Sequence, residues 1–195
     1  MSSAPWVVKL GGSLAAGKAL PAWLHRLAEL APIVVVPGGG GFADQVREQQ
    51  RRWRFDDRTA HRMALLAMDQ YGLMLCGLQP GLQACAGLPA LRASLDRGRV
   101  AVWLPAAMLA EAPEIEASWD VTSDSLAGWL CSRLDGAGLV LVKSAPIAPA
   151  ATLAELGAAG VVDAAFDRYR PADPARVWIL GASEHARLAA MVRGS

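Results

Sequence analysis

The chain has 195 residues, of which 53% are hydrophobic and 19% charged, and its formal net charge is +1. That length and composition exclude intrinsic disorder and allow a hydrophobic core without disulfides or metals. The near-neutral charge excludes an extended nucleic-acid-binding surface, which needs a basic excess to displace counterions from phosphates.

Taken in chain order, Trp6-Val7-Val8-Lys9-Leu10 is a short apolar run ended by Gly11-Gly12-Ser13. It reads as a buried strand followed by a glycine turn. Leu20, Trp23, Leu24, Leu27 and Leu30 follow at helical spacing, with Pro21 suited to the first turn. Pro32 to Val36 is β-branched and wholly apolar, as expected of a parallel strand covered on both faces. It ends in Pro37-Gly38-Gly39-Gly40-Gly41. Phe42 to Arg52 and Asp57 to Leu78 read as helices. Residues 79–98 are rich in Gly and Pro and read as an irregular connection with a helical piece near Leu91. Val100 to Leu104 is a third buried strand, and residues 105–118 a short helix or loop. Ser123 or Asp124 caps a helix running to about Leu134, and Gly138 to Val142 is a fourth strand. Thr152 to Ala159 is a short helix, Val177 to Leu180 a last strand, and Ser183 caps a last helix from Glu184 to Val192.

Short apolar strands alternating with helices predict an α/β fold, with helices on both faces of a mainly parallel sheet. Neither an internal repeat nor a long linker is visible, so a single domain over 1–195 is expected. The first residues lack a charged and then apolar leader, and no apolar run reaches membrane-spanning length. The expectation is a cytoplasmic protein without a membrane partner. Cys76, Cys85 and Cys131 are odd in number, lack C-x-x-C spacing and sit among apolar residues, as buried thiols do. His25, His61 and His185 have no metal-ligand spacing, and no metal site is expected.

Ligands of open α/β sheets bind beyond the carboxyl ends of strands. Here two strands end in glycine clusters, whose backbone N–H groups can approach a phosphate closely. Ordinary strand-to-helix turns are the plainer reading of either cluster alone. Gly12 to Lys18 fits G-x-x-x-x-G-K, but Ala19 stands where a P-loop needs Ser or Thr. Gly38-x-Gly40-x-x-Ala43 fits a dinucleotide fingerprint, with Asp56 and Asp57 near the distance of its ribose-binding acid. Yet Arg51-Arg52-Trp53-Arg54-Phe55 is a poor strand.

A third reading uses V-V-K-L-G-G-S-L at 7–14, V-V-V-P-G-G-G at 34–40, D-V-T-S-D-S-L-A at 120–127 and L-V-L-V-K-S at 139–144. This ordered set resembles the amino acid kinase superfamily, which includes acetylglutamate kinase, aspartokinase, uridylate kinase and isopentenyl phosphate kinase. Residues 61–72 and 119–125 look like a branch that phosphorylates an aminomethylfuran-methyl phosphate in methanofuran-type cofactor biosynthesis. The chain is short for that superfamily, and Ala145-Pro146-Ile147 stands where an Asp-Gly is usual.

The resemblance implies a three-layer α-β-α sandwich and phosphoryl transfer from ATP with Mg²⁺, the ion held mainly by the nucleotide phosphates. Such transfer needs in-line placement and cations near the charge that spreads over the moving group. Only Lys9, Lys18 and Lys143 are lysines, against 16 arginines. A lysine is a compact, mobile point charge, and Lys9 and Lys143 each end a buried run. These two are the expected catalytic cations, with Asp124 orienting them; Lys18 reads as an exposed turn residue. Asp124 also suits helix capping.

On the donor side the resemblance implies Gly11, Gly12, Ser13, Thr122, Ser123 and Ser125. On the acceptor side it implies Gly38, Gly39, Gly40, Arg58, Arg62, Asp69 and Asp120. Arg58 and Arg62, four apart on one helix face, can grip an anionic acceptor, though a solvated face is the plainer role for any single arginine. Asp69 can meet an amine on that acceptor or be an ordinary helix residue, and Asp120 can be a turn residue. A homodimer or higher homo-oligomer is the expected assembly. A non-catalytic nucleotide-binding module of the same fold and an NAD(P)-dependent oxidoreductase remain competing functions.

Overall fold

The computed structural model describes residues 4–110, 112–144, 147 and 152–193. Its strands are β1 (Trp6–Leu10), β2 (Ile33–Pro37), β3 (Leu82–Cys85), β4 (Val100–Trp103), β5 (Gly138–Lys143) and β6 (Val177–Gly181). The helices are α1 (Leu20–Glu29), α2 (Gly40–Trp53), α3 (Asp57–Leu78), α4 (Leu88–Asp96), α5 (Ala106–Leu109), α6 (Ser123–Cys131), α7 (Leu153–Ala158), α8 (Phe166–Tyr169) and α9 (His185–Arg193). All six strands are parallel, in the order β3-β4-β2-β1-β5-β6.

The sheet has helices on both faces, which is why its central strands β1 and β2 are buried at every position. Val8, Leu10, Val35 and Val140 pack against Leu20, Trp23, Leu24 and Leu27 of α1 and Leu188 of α9. Val7, Val34, Leu139 and Leu141 face the other way, onto Leu91 of α4, Leu126 and Leu130 of α6 and Phe166 of α8. The two-residue alternation of side chains produces this division. Trp23 is wholly buried, and its indole N–H donates to the Ala182 carbonyl at 2.7 Å, tying α1 to the chain entering α9.

Two elements lie inside the stretch read as irregular. β3 is an edge strand, Leu-Gln-Ala-Cys, with little β-propensity of its own. Its pairing with β4, Leu82 opposite Val100, makes it a strand. Gly87 and Pro89 read locally as a loop, yet Pro89 sits in the first turn of α4, where its missing N–H costs nothing. Helix α6 is shorter than expected and stops at Cys131.

From β1 the chain leaves toward β2 on one side, and from β5 toward β6 on the other. The carboxyl ends of β1 and β5 therefore border the crevice where such sheets bind ligands.

Candidate active site

Lys9 and Lys143 meet because of register. Lys9 on β1 lies opposite Leu141 on β5, so Lys143 is two residues farther along the adjacent strand and on the same face. Both point at the N-terminal turn of α6. Lys9 Nζ lies 2.7 Å from Asp124 Oδ1, and Lys143 Nζ donates to Asp124 Oδ2. Lys9 and Asp124 are almost wholly buried, with side chains 6% and 1% exposed, and Lys143 is 12% exposed. Burial by itself would raise the Asp124 carboxyl, but the ammonium groups of Lys9 and Lys143 outweigh it and hold the pKa down at about 2. Burial and the charge of Lys9 pull the Lys143 ammonium below the ordinary lysine value, partly offset by Asp124.

Beside this triad the two glycine turns interlock backbone to backbone. A Cβ on Gly12 would lie 2.2 Å from Gly40 N, and one on Gly38 would lie 2.3 Å from Gly12 N. Gly40 has φ +53, a conformation glycine adopts at little cost. Gly11 N–H donates to the Val142 carbonyl at 3.2 Å and Gly38 N–H to the Leu10 carbonyl at 2.8 Å. Those two glycines are committed to holding the turns in place. Gly12, Ser13, Gly39 and Gly40 line the cavity. Gly40 opens α2, and the first N–H groups of a helix have no partner within it. Ser13 Oγ donates to Ser144 Oγ at 2.8 Å, joining the turns that follow β1 and β5.

The cavity these residues border has a volume of about 470 Å³. Its wall includes Lys9, Lys143, Asp124, Thr122 and Ser123, and its far rim is built by α2, α3 and the loop before α6. On that rim the Arg47 guanidinium lies 4.3 Å from the centre of the Trp119 ring and pairs with Asp44 at 3.0 Å. The Trp119 indole N–H donates to Gln50 Oε1 at 2.7 Å, and Gln50 Nε2 donates to Asp57 Oδ1 at 2.8 Å. His61, with a pKa lowered by burial, also lines the cavity.

Four expected acceptor residues lie off this wall. Arg58 and Arg62 are exposed, on a face of α3 turned away from the cavity that His61 and Asp57 border. Asp69 accepts the Ala106 N–H at 3.1 Å, in the first turn of α5. Asp120 is exposed, and its backbone is spent on Ser118 Oγ at 2.9 Å and Ala165 N–H at 3.1 Å. Ser125 lies behind the wall, wholly buried. Asp124 faces the lysines rather than capping α6, whose cap position is Thr122.

The other two glycine readings lack their structural context. Lys18 is exposed in a turn, so the G-x-x-x-x-G-K spacing brings no cation to the cavity. Residues 51–55 close α2 and turn into α3, and Asp56 caps α3 by accepting the Thr59 N–H at 2.6 Å. No strand presents an acid beside Gly38 and Gly40 among the described residues. Ala145 and Pro146, which stand where the superfamily has Asp-Gly, lie outside the described residues.

Sequence reasoning missed Arg47 and Asp163, and it met Asp57 only as a candidate ribose-binding acid. Arg47 was legible, since Gly40, Ala43, Asp44 and Arg47 share one face of α2. Asp163 carried no local signal, because it lies in a short irregular stretch between α7 and α8.

The model of the amino acid kinase family matches residues 4–146, a stretch that holds both glycine turns and the Lys9–Asp124–Lys143 cluster. The chain belongs to the amino acid kinase family. It is 32% identical over 132 residues to a [5-(aminomethyl)furan-3-yl]methyl phosphate kinase of Methanocaldococcus jannaschii, a match over 66% of this chain and 61% of that protein. Its fold resembles a uridylate kinase from Archaeoglobus fulgidus, with a TM-score of 0.64, 14% identity and coverage of 97% of this chain and 96% of that one. It also resembles a UMP kinase from Bacillus anthracis, with a TM-score of 0.63, 14% identity and coverage of 98% and 92%.

Proposed function

We propose that this chain is an ATP-dependent kinase that transfers the γ-phosphoryl group to a small phosphate monoester. The carrying observation is the pair of lysines held by one buried carboxylate beside two interlocked glycine turns. This arrangement fits polyphosphate, since the cavity wall offers two ammonium groups and the backbone of Gly12, Ser13, Gly39 and Gly40. Lys9 and Lys143 supply positive charge where it spreads over the transferring oxygens, and Asp124 keeps both ammonium groups aimed at one point. Mg²⁺ would be held by the phosphates of ATP, with the described residues offering no group of three His, Cys, Asp or Glu side chains able to hold a metal.

The acceptor lies toward the α2–α3 rim, opposite the lysines. Arg47 and His61 can hold its phosphate, and Trp119 offers an aromatic face. The relative's name supports an aminomethylfuran-methyl phosphate as that acceptor, with Asp44 or Asp57 as partner for its amine in place of Asp69. Leu66 and Leu73, seven apart on α3 and each 54% exposed, support self-association into a homo-oligomer. No helix of the described residues is long and apolar enough to cross a membrane.

The test is a panel of acceptors, including the furan phosphate and UMP, incubated with ATP and Mg²⁺ and read by mass spectrometry. The reading expects a product heavier by one phosphoryl group, lost in Lys9→Ala while the circular dichroism spectrum is kept. Stabilisation by ATP with no product from any acceptor would favour a non-catalytic nucleotide-binding module.

A further inference from the structure

The kinase reading assigns no role to Asp163, yet this side chain holds the residues on both sides of Asp124. Its Oδ2 accepts the Thr122 N–H at 2.9 Å and the Ser125 N–H at 3.0 Å, and its Oδ1 accepts the Thr122 hydroxyl. Its own backbone N–H donates to Asp124 Oδ2 at 3.2 Å. Thr122 makes no side-chain cap to α6, so the cap comes from a residue 38 positions after Ser125. A carboxylate at a helix N-terminus satisfies otherwise unpaired N–H groups and is favoured by the helix dipole.

The segment carrying Asp163 is itself anchored. Val162 and Phe166 are each 3% exposed and flank it in the core. Val161 and Val162 N–H groups donate to the Leu156 carbonyl at 2.9 and 3.3 Å, and Ala165 N–H donates to the Asp120 carbonyl at 3.1 Å. Burial, together with the nearby negative Asp124, raises the Asp163 carboxyl, against the pull of Lys9. A carboxylate kept in such a place, on three donors of one helix turn, adds a second negative charge beside two lysines.

We propose that Asp163 is a positioning residue for phosphoryl transfer, clamping the first turn of α6 so that Asp124 stays between Lys9 and Lys143. The proposal rests on the kinase reading given above. A helix end without its cap frays, and a displacement of about 1 Å at reacting groups can cost roughly 100-fold in rate.

The experiment compares the full chain with Asp163→Ala and Asp163→Asn. Asp163 itself borders the cavity, but Lys9, Lys143 and the glycine turns keep their places on its wall, so Asp163→Ala is expected to lower kcat by about 10- to 100-fold with KM for ATP and acceptor within about threefold. Asp163→Asn keeps an acceptor oxygen in place and recovers part of that loss. Amide hydrogen exchange over residues 119–128, measured without ligand, should quicken in Asp163→Ala, while β1 and β5 keep wild-type protection.

A kcat in Asp163→Ala within about twofold of wild type overturns the proposal. So does a fall that merely follows the fraction of folded protein in thermal melts, or unchanged exchange in α6. If wild type transfers no phosphoryl group to any acceptor, the kinase reading fails, and the exchange measurement alone decides the clamp.

Discussion

Replacing Gly12 with alanine tests the interlocked turns directly. The new Cβ would lie 2.2 Å from Gly40 N and 2.6 Å from Gly40 Cα, both backbone atoms that no rotamer change can move aside. Restoring an ordinary contact requires the turns to part by about 1 Å. Neither turn is free to give, since Gly11 and Gly38 are hydrogen-bonded to the neighbouring strands and Gly40 already sits at φ +53. Overpacking of this kind costs about 1–3 kcal/mol. In a chain of this length that corresponds to a fall in Tm of roughly 2–12 °C. Turnover should suffer more, by about 100-fold, because the displaced backbone lines the cavity proposed for phosphoryl transfer. Thermal unfolding followed by circular dichroism and initial rates of ADP formation measure the two effects. Gly157→Ala is the control: its Cβ meets nothing within 4 Å in α7, and a gain of about 0.5–1 kcal/mol is expected. A Gly12→Ala protein with wild-type Tm and rate would refute the interlock.

Asp124→Asn leaves two buried ammonium groups without their counter-charge, and a loss of about 3–5 kcal/mol in urea unfolding is expected. The same carboxyl gives a pH test. Its folded pKa, about 2, lies below the ordinary 3.8, so its stabilisation is present above that value and is lost as pH falls toward 2. Acid unfolding of Asp124→Asn should lack this component. The Lys143 ammonium is held below 10.5, so kcat should begin to fall on the alkaline side before the ordinary lysine range. A pH–rate profile flat up to that range would contradict this. Arg47→Ala should raise the KM of the acceptor by about tenfold and leave the KM of ATP within about twofold, since Arg47 stands on the rim away from the lysines. An unchanged acceptor KM would remove Arg47 from the site.

Much of the architecture was legible because the central strands are covered on both faces and so spell runs that are apolar but for Lys9 and Lys143. β1, β2, β4 and β5 were read directly from Trp6–Leu10, Pro32–Val36, Val100–Leu104 and Gly138–Val142. α1 was equally plain from Leu20, Trp23, Leu24 and Leu27, which the structure buries together. β3 was not legible: Leu-Gln-Ala-Cys has neither alternation nor β-branching, and its strand character comes from its partner.

The site divides along the same line. Lys9, Asp124, Lys143 and the glycines stand out in sequence because each breaks an apolar run or bends the chain. Arg58, Arg62, Asp69 and Asp120 follow from the charges of the acceptor that the resemblance implies, and helix phase and loop path turn them away from the cavity. Helix phase likewise brought Arg47 to the rim, two turns after Gly40 on the same face of α2.

By itself, then, the sequence determined the parallel α/β sheet, the strand ends that border the cavity and the chemical types gathered there. These are local properties, set by periodicity, by glycine and by charge within an apolar run. Only the tertiary structure decided that Lys9 and Lys143 share one carboxylate. That meeting depends on the register of β1 against β5, which no short window of sequence contains. Only the tertiary structure brought Asp163 to the first turn of α6, because a hydrogen bond spanning 38 residues follows from packing rather than from its neighbours in the chain.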